Sequence, residues 1–264
     1  MKPLTLIISD THSGGSTALA YPHMILNEGD AEEKKISLSA GQYWLWDCWE
    51  EMYKRIKYEV QRKKRTLFTF HLGDMVDGIH HGNVQAITVL DDQEKMAEEL
   101  LAPIRALSTQ MWICVGTAAH VGEVGQSERR IARRLNATLA YEHRVKIDGV
   151  LHDLAHHGRV SSRTYYSAAT AVAAEVMLEC AERGDPVPRF VWRGQRHRIN
   201  DSGEHFENTR CVNVPCWQLR THYGYKVSGR PSDIGYILVE GENVEIKRYR
   251  PQRRKVVHIR GHAG

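Results

Sequence analysis

Leu4-Thr5-Leu6-Ile7-Ile8-Ser9-Asp10-Thr11-His12 decides how this 264-residue chain is read. A short apolar run that ends on an acid reads as a buried strand delivering polar side chains at its C-terminal end. The pattern recurs. Thr66–Leu72 is a second strand run, followed by Gly73-Asp74-Met75-Val76-Asp77-Gly78. Met111–Val115 leads into Gly116-Thr117-Ala118-Ala119-His120. Val150–His156 leads into His157-Gly158, and Phe190–Arg193 into Gly194-Gln195-Arg196-His197. Asp and His placed after successive strands converge in space. In open α/β sheets ligand sites lie at that end.

Helical spacing separates the runs. Trp44, Leu45, Cys48, Trp49, Met52, Ile56 and Val60 predict a helix over Gly41–Lys64, with its aromatics in the core. Asp91–Ser108, Ser127–Leu135 and the Ala-rich Arg163–Arg183 read as further helices, and residues 13–40 as a long loop. Asp148-Gly149 marks a hairpin between His143–Ile147 and the next run. Cys211–Val214 is another strand, and Gly235–Glu240 with Val244–Arg250 forms a closing hairpin. The order predicts an α/β fold with mixed sheets covered by helices, in one domain over 1–264.

Composition narrows the class. There is no apolar run long enough to span a membrane, and Met1–Asp10 lacks a signal-peptide pattern, so the expectation is a cytoplasmic protein without membrane contact. Cys48, Cys114, Cys180, Cys211 and Cys216 are odd in number and include no CxxC pair, which predicts reduced thiols. Net charge is +4, and seven Lys and Arg with no acid fall from Lys247 onward. That basic end suits a polyanion or a solvated tail. No GK[ST] phosphate loop is present, which excludes nucleotide-driven work of that kind. Carboxylate and imidazole ligands in one pocket suit Mn, Fe, Zn or Ni, and a pair of such ions serves phosphoryl chemistry.

The motif order D-x-H, GD-x-x-D, a G-x-H-like element, H-G and G-x-x-H resembles the calcineurin-like metallophosphoesterase superfamily, from Asp10 to about His197. The long loop after His12 and the run Gln42-Tyr-Trp44-Leu-Trp46-Asp-Cys48-Trp49 look most like its bacteriophage and prophage branch, which would place the protein in a bacterial host cell. The resemblance implies two packed mixed β-sheets flanked by α-helices, with a dinuclear site at one edge. It implies Asp10, His12 and His197 on a first ion and Asp74 bridging both. His157, the histidine directly before glycine, would bind the second ion, with His156 as the alternative, since adjacent strand residues face opposite ways and only one of the two turns inward. His120 would be the general acid.

The chain departs from the family pattern twice. The usual Gly-Asn-His is Gly116-Thr117-Ala118-Ala119-His120, and the usual Gly-His-x-His carries Gln195 in place of its first histidine. Thr117 and Gln195 would be weak ligands, so two divalent ions are expected, the second held less tightly, with Mn foremost and Ni, Fe, Co or Zn as other candidates. Asp77 reads as a hydrogen-bond acceptor behind the ligands. His80 is a candidate substrate contact. Arg129 and Arg130, with Arg133 and Arg134, are either a phosphate clamp or a solvated helix face. The implied activity is hydrolysis of phosphodiester bonds by metal-activated hydroxide, with DNA or RNA the favoured substrate. The alternatives are a small-molecule phosphomonoesterase or cyclic-nucleotide phosphodiesterase, and an inactive scaffold.

Overall fold

The computed structural model describes residues 2–27, 33–79, 85–122, 125–158, 168–221 and 230–251. In chain order the elements are β1 (Leu4–Ile8), β2 (Ile25–Leu26), β3 (Lys34–Lys35), α1 (Ala40–Gln61), β4 (Leu67–His71), α2 (Leu90–Leu107), β5 (Gln110–Cys114), α3 (Ala118–Val121) and α4 (Gln126–Arg134). They continue as β6 (Thr138–Ala140), β7 (Glu142–Ile147), β8 (Val150–Ala155), α5 (Ala168–Arg183), β9 (Phe190–Arg193), β10 (Asn200–Asp201), β11 (Arg210–Asn213), β12 (Ile234–Glu240) and β13 (Asn243–Tyr249).

Two mixed sheets carry the fold. The first has the order β13-β12-β1-β4-β5-β6 and the second β10-β11-β9-β8-β7. β1, β4, β5 and β6 run parallel, and the β12–β13 hairpin closes the edge antiparallel. In the second sheet β8, β9 and β11 are parallel, flanked by antiparallel β7 and β10. The sheets pack face to face, with Ile7, Phe70, Cys114 and Ile237 meeting Leu154, Phe190, Trp192 and Val212. Helices α1, α2 and α4 cover the outer face of the first sheet through Leu45, Met52, Leu100, Ile104 and Ile131. Helix α5 covers the second sheet, with Ala169, Val172 and Val176 against Val191 and Cys211. Every residue of β1 is buried, as a strand sandwiched on both faces must be. The layers agree with the expected fold.

Local chemistry sets the boundaries. Ser39 caps α1 reciprocally: its hydroxyl accepts the Gln42 N–H at 3.3 Å, and Gln42 Oε1 accepts the Ser39 N–H at 3.1 Å. Asp148 and Gly149 both adopt positive φ, 48° and 85°, as a two-residue hairpin turn requires. All five cysteines are free and buried. No helix among the described residues is long and apolar enough to cross a membrane.

Several expectations need correcting. The stretch 13–40 holds the short β2–β3 pair rather than being loop throughout. Helix α1 stops at Gln61 instead of Lys64, where the chain turns through positive φ. The expected start of the Ala-rich helix, 163–167, lies outside the described residues. Lys247 and Arg248, the first two cations of the basic end, sit in β13 within the expected strand Val244–Arg250, Lys247 paired with Glu51 at 3.0 Å and Arg248 with Asp233 at 3.1 Å.

Between the sheets, His152 lies among Phe70, Phe190 and Trp192, and its Nδ1 accepts the Trp192 indole N–H at 3.1 Å. Burial pushes this histidine down to about 4. A depressed histidine lends stability above its unfolded value of roughly 6.5, and that stability is lost as pH falls towards 4. Urea unfolding from pH 7 to 4 should therefore take up about one proton more in the parent than in His152→Phe. Identical pH slopes for the two proteins would contradict this.

Candidate metal centre

Parallel register brings the first two motif loops together. Ile8 pairs with His71, so the chain leaves β1 and β4 side by side. The loops then continue the pairing: the amides of Asp10, His12 and Ser13 donate to the carbonyls of Gly73, Asp74 and Met75 at 3.0, 3.0 and 2.9 Å. β5, β8 and β9 end at the same edge and deliver Thr117, His156 and the turn that carries His197.

The side chains form three overlapping groups. Asp10, His12 and His197 are one, Asp10, Asp74 and His156 another, and His12, Asp77 and His120 the third, each with ligand atoms within 4.8 Å of one another. His12 Nε2 and His197 Nε2 face each other at 3.1 Å. His197 Nε2 stands 3.2 Å from Asp10 Oδ1, and His156 Nε2 stands 3.0 Å from Asp74 Oδ2. Ligand atoms about 2.1 Å from a shared ion stand roughly 3.0–3.5 Å apart, so this spacing is that of a coordination shell. The donor chemistry fits too. Asp10 Oδ1 is buried without a hydrogen-bond partner. Two imidazole nitrogens aimed at one point beside a carboxylate suit a divalent cation.

Asp10, His12, Asp74, Gln195 and His197 all have positive φ, between 45° and 63°. Each costs of order 1 kcal/mol and persists only where its surroundings over-determine it. Glycines give the room. A Cβ on Gly116 would stand 2.2 Å from Asp74 Oδ1, and one on Gly194 would stand 2.5 Å from Ser9 Oγ and 3.0 Å from Asp10 Oδ2.

Charge within the group is mutually compensated. Burial would raise Asp74, but His156 holds it at about 2. Burial would lower His156, but Asp74 pushes it up to about 9. Asp10 likewise resists burial and stays well below the usual carboxylate range through His12 and His197. A divalent cation held by these residues would take over the role of those imidazole protons.

A polar frame stands behind the cluster. His71, kept neutral by burial and pushed down to about 3, accepts the Gly73 N–H through Nδ1 at 3.2 Å. Its Nε2 meets Thr11 Oγ1 at 3.3 Å, and Thr11 donates to the Met75 carbonyl at 3.1 Å. Glu128, fully buried on α4, accepts the Gly116 amide at 2.7 Å and the Met75 amide at 3.3 Å. Burial pushes its carboxyl up to about 8. The sequence reading missed Thr11, His71 and Glu128 here, and held His156 only as the alternative to His157. An acid twelve residues after Gly116 was the available signal for Glu128.

The other candidates divide. His120 joins the cluster: its ring lies 4.6 Å from that of His12, and Nε2 is 4.0 Å from Asp74 Oδ2. Thr117 Oγ1 lies 3.2 Å from both Asp74 Oδ2 and His156 Nε2. Gln195 is exposed and reaches the cluster through its backbone amide, 3.1 Å from Asp10 Oδ2. Asp77 Oδ1 sits 3.6 Å from His12 Nδ1. His157 is exposed and His156 takes the inward place, because Leu154 in the inter-sheet core sets the phase of the strand. Arg130 is bound to the fully buried Glu94 of α2 through its Nε at 2.8 Å, and Arg129 is exposed. His80 lies outside the described residues.

No protein-family model matches the chain, and no curated protein matches it. Among solved structures it is similar to a single mutant of Vps29 from Entamoeba histolytica, at 11% identity over 93% of this chain and 98% of that one, with a TM-score of 0.44. It is also similar to an archaeal phosphodiesterase, at 10% identity over 93% and 99%, with a TM-score of 0.46. A third is an uncharacterized Streptococcus pneumoniae protein described as a predicted phosphoesterase, at 11% identity over 94% and 90%, with a TM-score of 0.43.

The placement of the two neighbouring histidines is testable by calorimetric titration with Mn²⁺. His156→Ala should abolish or weaken one binding event by about tenfold or more, while His157→Ala should titrate like the parent. The reverse ranking would show that the inward residue is misassigned.

Proposed function

We propose that this chain is a metal-dependent phosphoesterase that hydrolyses phosphodiester bonds, with nucleic acid as its substrate class. The observation that carries the reading is the buried group of Asp10, Asp74, His12, His156 and His197, two carboxylates and three imidazoles at one sheet edge. Divalent ions bound there supply Lewis acidity towards phosphoryl oxygens and lower the pKa of water. Asp10, His12 and His197 would hold one ion. Asp74 and His156 would hold the other, with Asp10 within reach of both and Thr117 beside the second. Mn is the ion we favour.

The remaining residues have work of their own. Asp77 faces the Nδ1 of His12 and keeps Nε2 turned into the group. His120 Nδ1 lies 2.7 Å from the carbonyl oxygen of Asp77, which only accepts, so Nδ1 is the donor. Nε2 is therefore the nitrogen that exchanges a proton with the departing ester oxygen. Nucleic acid is favoured by the cations beyond the last strand. Arg250 is exposed at the end of β13, and Arg253, Arg254, Lys255 and Arg260 follow outside the described residues.

Full chelation should abolish hydrolysis of bis(p-nitrophenyl) phosphate, and Mn²⁺ should restore it. Asp74→Asn should lower turnover by more than about 100-fold, since removing even a supporting residue costs up to that much. Undiminished activity after chelation sinks the reading. Neutralising Arg250, Arg253, Arg254 and Lys255 should weaken DNA or RNA binding and flatten its salt dependence, with the chromogenic diester unaffected. Unaltered affinity would return the substrate to the small-molecule class.

A further inference from the structure

The peptide unit between Asp77 and Gly78 is gripped at both ends. Its carbonyl oxygen receives His120 Nδ1 at 2.7 Å, and its N–H donates to Gln93 Oε1 at 2.8 Å. A peptide is planar, so the two bonds are mechanically one: whatever fixes the N–H also aims the carbonyl.

Gln93 is built to do this. It sits in the first turn of α2 and is fully buried. Its Nε2 donates to the carbonyls of Ile87 at 2.8 Å and Gly78 at 3.4 Å, which fixes which end of the amide is oxygen. Its stem packs under the loop after His12, where a Cβ on Gly14 would stand 2.5 Å from Gln93 Cγ. On the far side, Gly78 has φ 72°, and a Cβ there would stand 2.2 Å from the His120 carbonyl oxygen. The Asp77–Gly78 segment is thus wedged between α2 and the turn that carries His120.

We propose that Gln93 is a positioning residue for His120. By holding the plane of the Asp77–Gly78 peptide it commits His120 Nδ1 as a donor, so the proton that the imidazolium hands to the leaving oxygen is the one on Nε2, and the ring is left as the Nδ1–H imidazole. A rotated peptide withdraws that acceptor, and the imidazole proton then distributes between the two nitrogens. The proposal rests on the reading of His120 as the group that protonates the leaving oxygen.

The test uses the full chain with Mn²⁺ and two esters of thymidine 5′-phosphate, one with p-nitrophenol and one with phenol. A proton donor matters more for the poorer leaving group, phenol. Gln93→Met keeps the length and removes both polar ends. It should lower turnover of the phenyl ester about tenfold more than that of the p-nitrophenyl ester, the scale of an outer-shell loss. Gln93→Glu, which keeps an acceptor for the Gly78 N–H, should recover most of this. Adding Gln93→Met to His120→Ala should cost nothing further. Without substrate or turnover, ¹⁵N spectra of the His120 ring should show the Nδ1–H form in the parent and a mixture in Gln93→Met. If Gln93→Met does not fold, Gln93→Asn, too short to reach Gly78, is read in the same two assays. Equal losses on both esters with an unchanged tautomer would overturn the proposal while leaving the His120 reading intact. An equal effect of His120→Ala on both esters would overturn that reading and this proposal together.

Discussion

Two carboxylates, Asp10 and Asp74, are buried to 0% and 2% exposure at the ends of neighbouring parallel strands, and most of the surrounding structure answers to them. An uncompensated buried charge costs several kcal/mol, so the fold has to surround each with donors or cations. Backbone amides do part of this, that of Thr117 on Asp74 Oδ1 at 2.6 Å and that of Gln195 on Asp10 Oδ2 at 3.1 Å. Imidazoles do the rest. The arrangement works only if the chain turns back sharply at one edge, and five of the residues involved, in the loops after β1, β4 and β9, accept positive φ. The strain is local, and the parallel register of β1 and β4 holds it in place.

The loops are braced from behind by side chains that face away from solvent. His71 and Thr11 tie the first loop to the second, and Glu128 ties the second to the third. Gln93 ties the second to helix α2. These groups are uncharged or raised towards neutrality, His71 near 3 and Glu128 near 8, so they hold amides and carbonyls without adding to the charge of the cluster. Division of labour follows: charged groups point at the centre, neutral ones at the backbone. The braces come from α2, α4 and the strand ends, so helix packing on the outer face of the sheet bears directly on the geometry of the cluster.

The apolar runs were legible because a strand buried on both faces has a near-continuous hydrophobic signature, and the Asp10–His12 and Asp74–Asp77 spacings announced what those strands carry. The ambiguous places were those where alternation had no external reference. His156 and His157 are adjacent, and only the packing of Leu154 between the sheets decides which turns inward. Arg130 looked available because its partner, Glu94, lies 36 residues away on another helix. β6 is three residues long and α3 four, too short for any periodicity to register. Glu128 and Gln93 carry no motif. Their importance lies in backbone groups that become orphaned only once the loops are folded.

The third motif shows how the fold absorbs a departure in sequence. Two residues separate Thr117 from His120, where the pattern of the superfamily that the sequence resembles places asparagine and histidine side by side. The turn of α3 removes that offset: His120 N–H donates to the Thr117 carbonyl at 2.9 Å, so residues three apart stand on the same side of one helical turn. Thr117 then offers its hydroxyl to Asp74 and His156 while His120 reaches the same carboxylate from the other direction. The first group, with one carboxylate and two imidazoles, keeps strong nitrogen donors. The second relies on two carboxylates, one imidazole and a neutral hydroxyl. The cluster is therefore asymmetric by construction, richer in nitrogen on the His12 and His197 side and richer in oxygen on the Asp74 side.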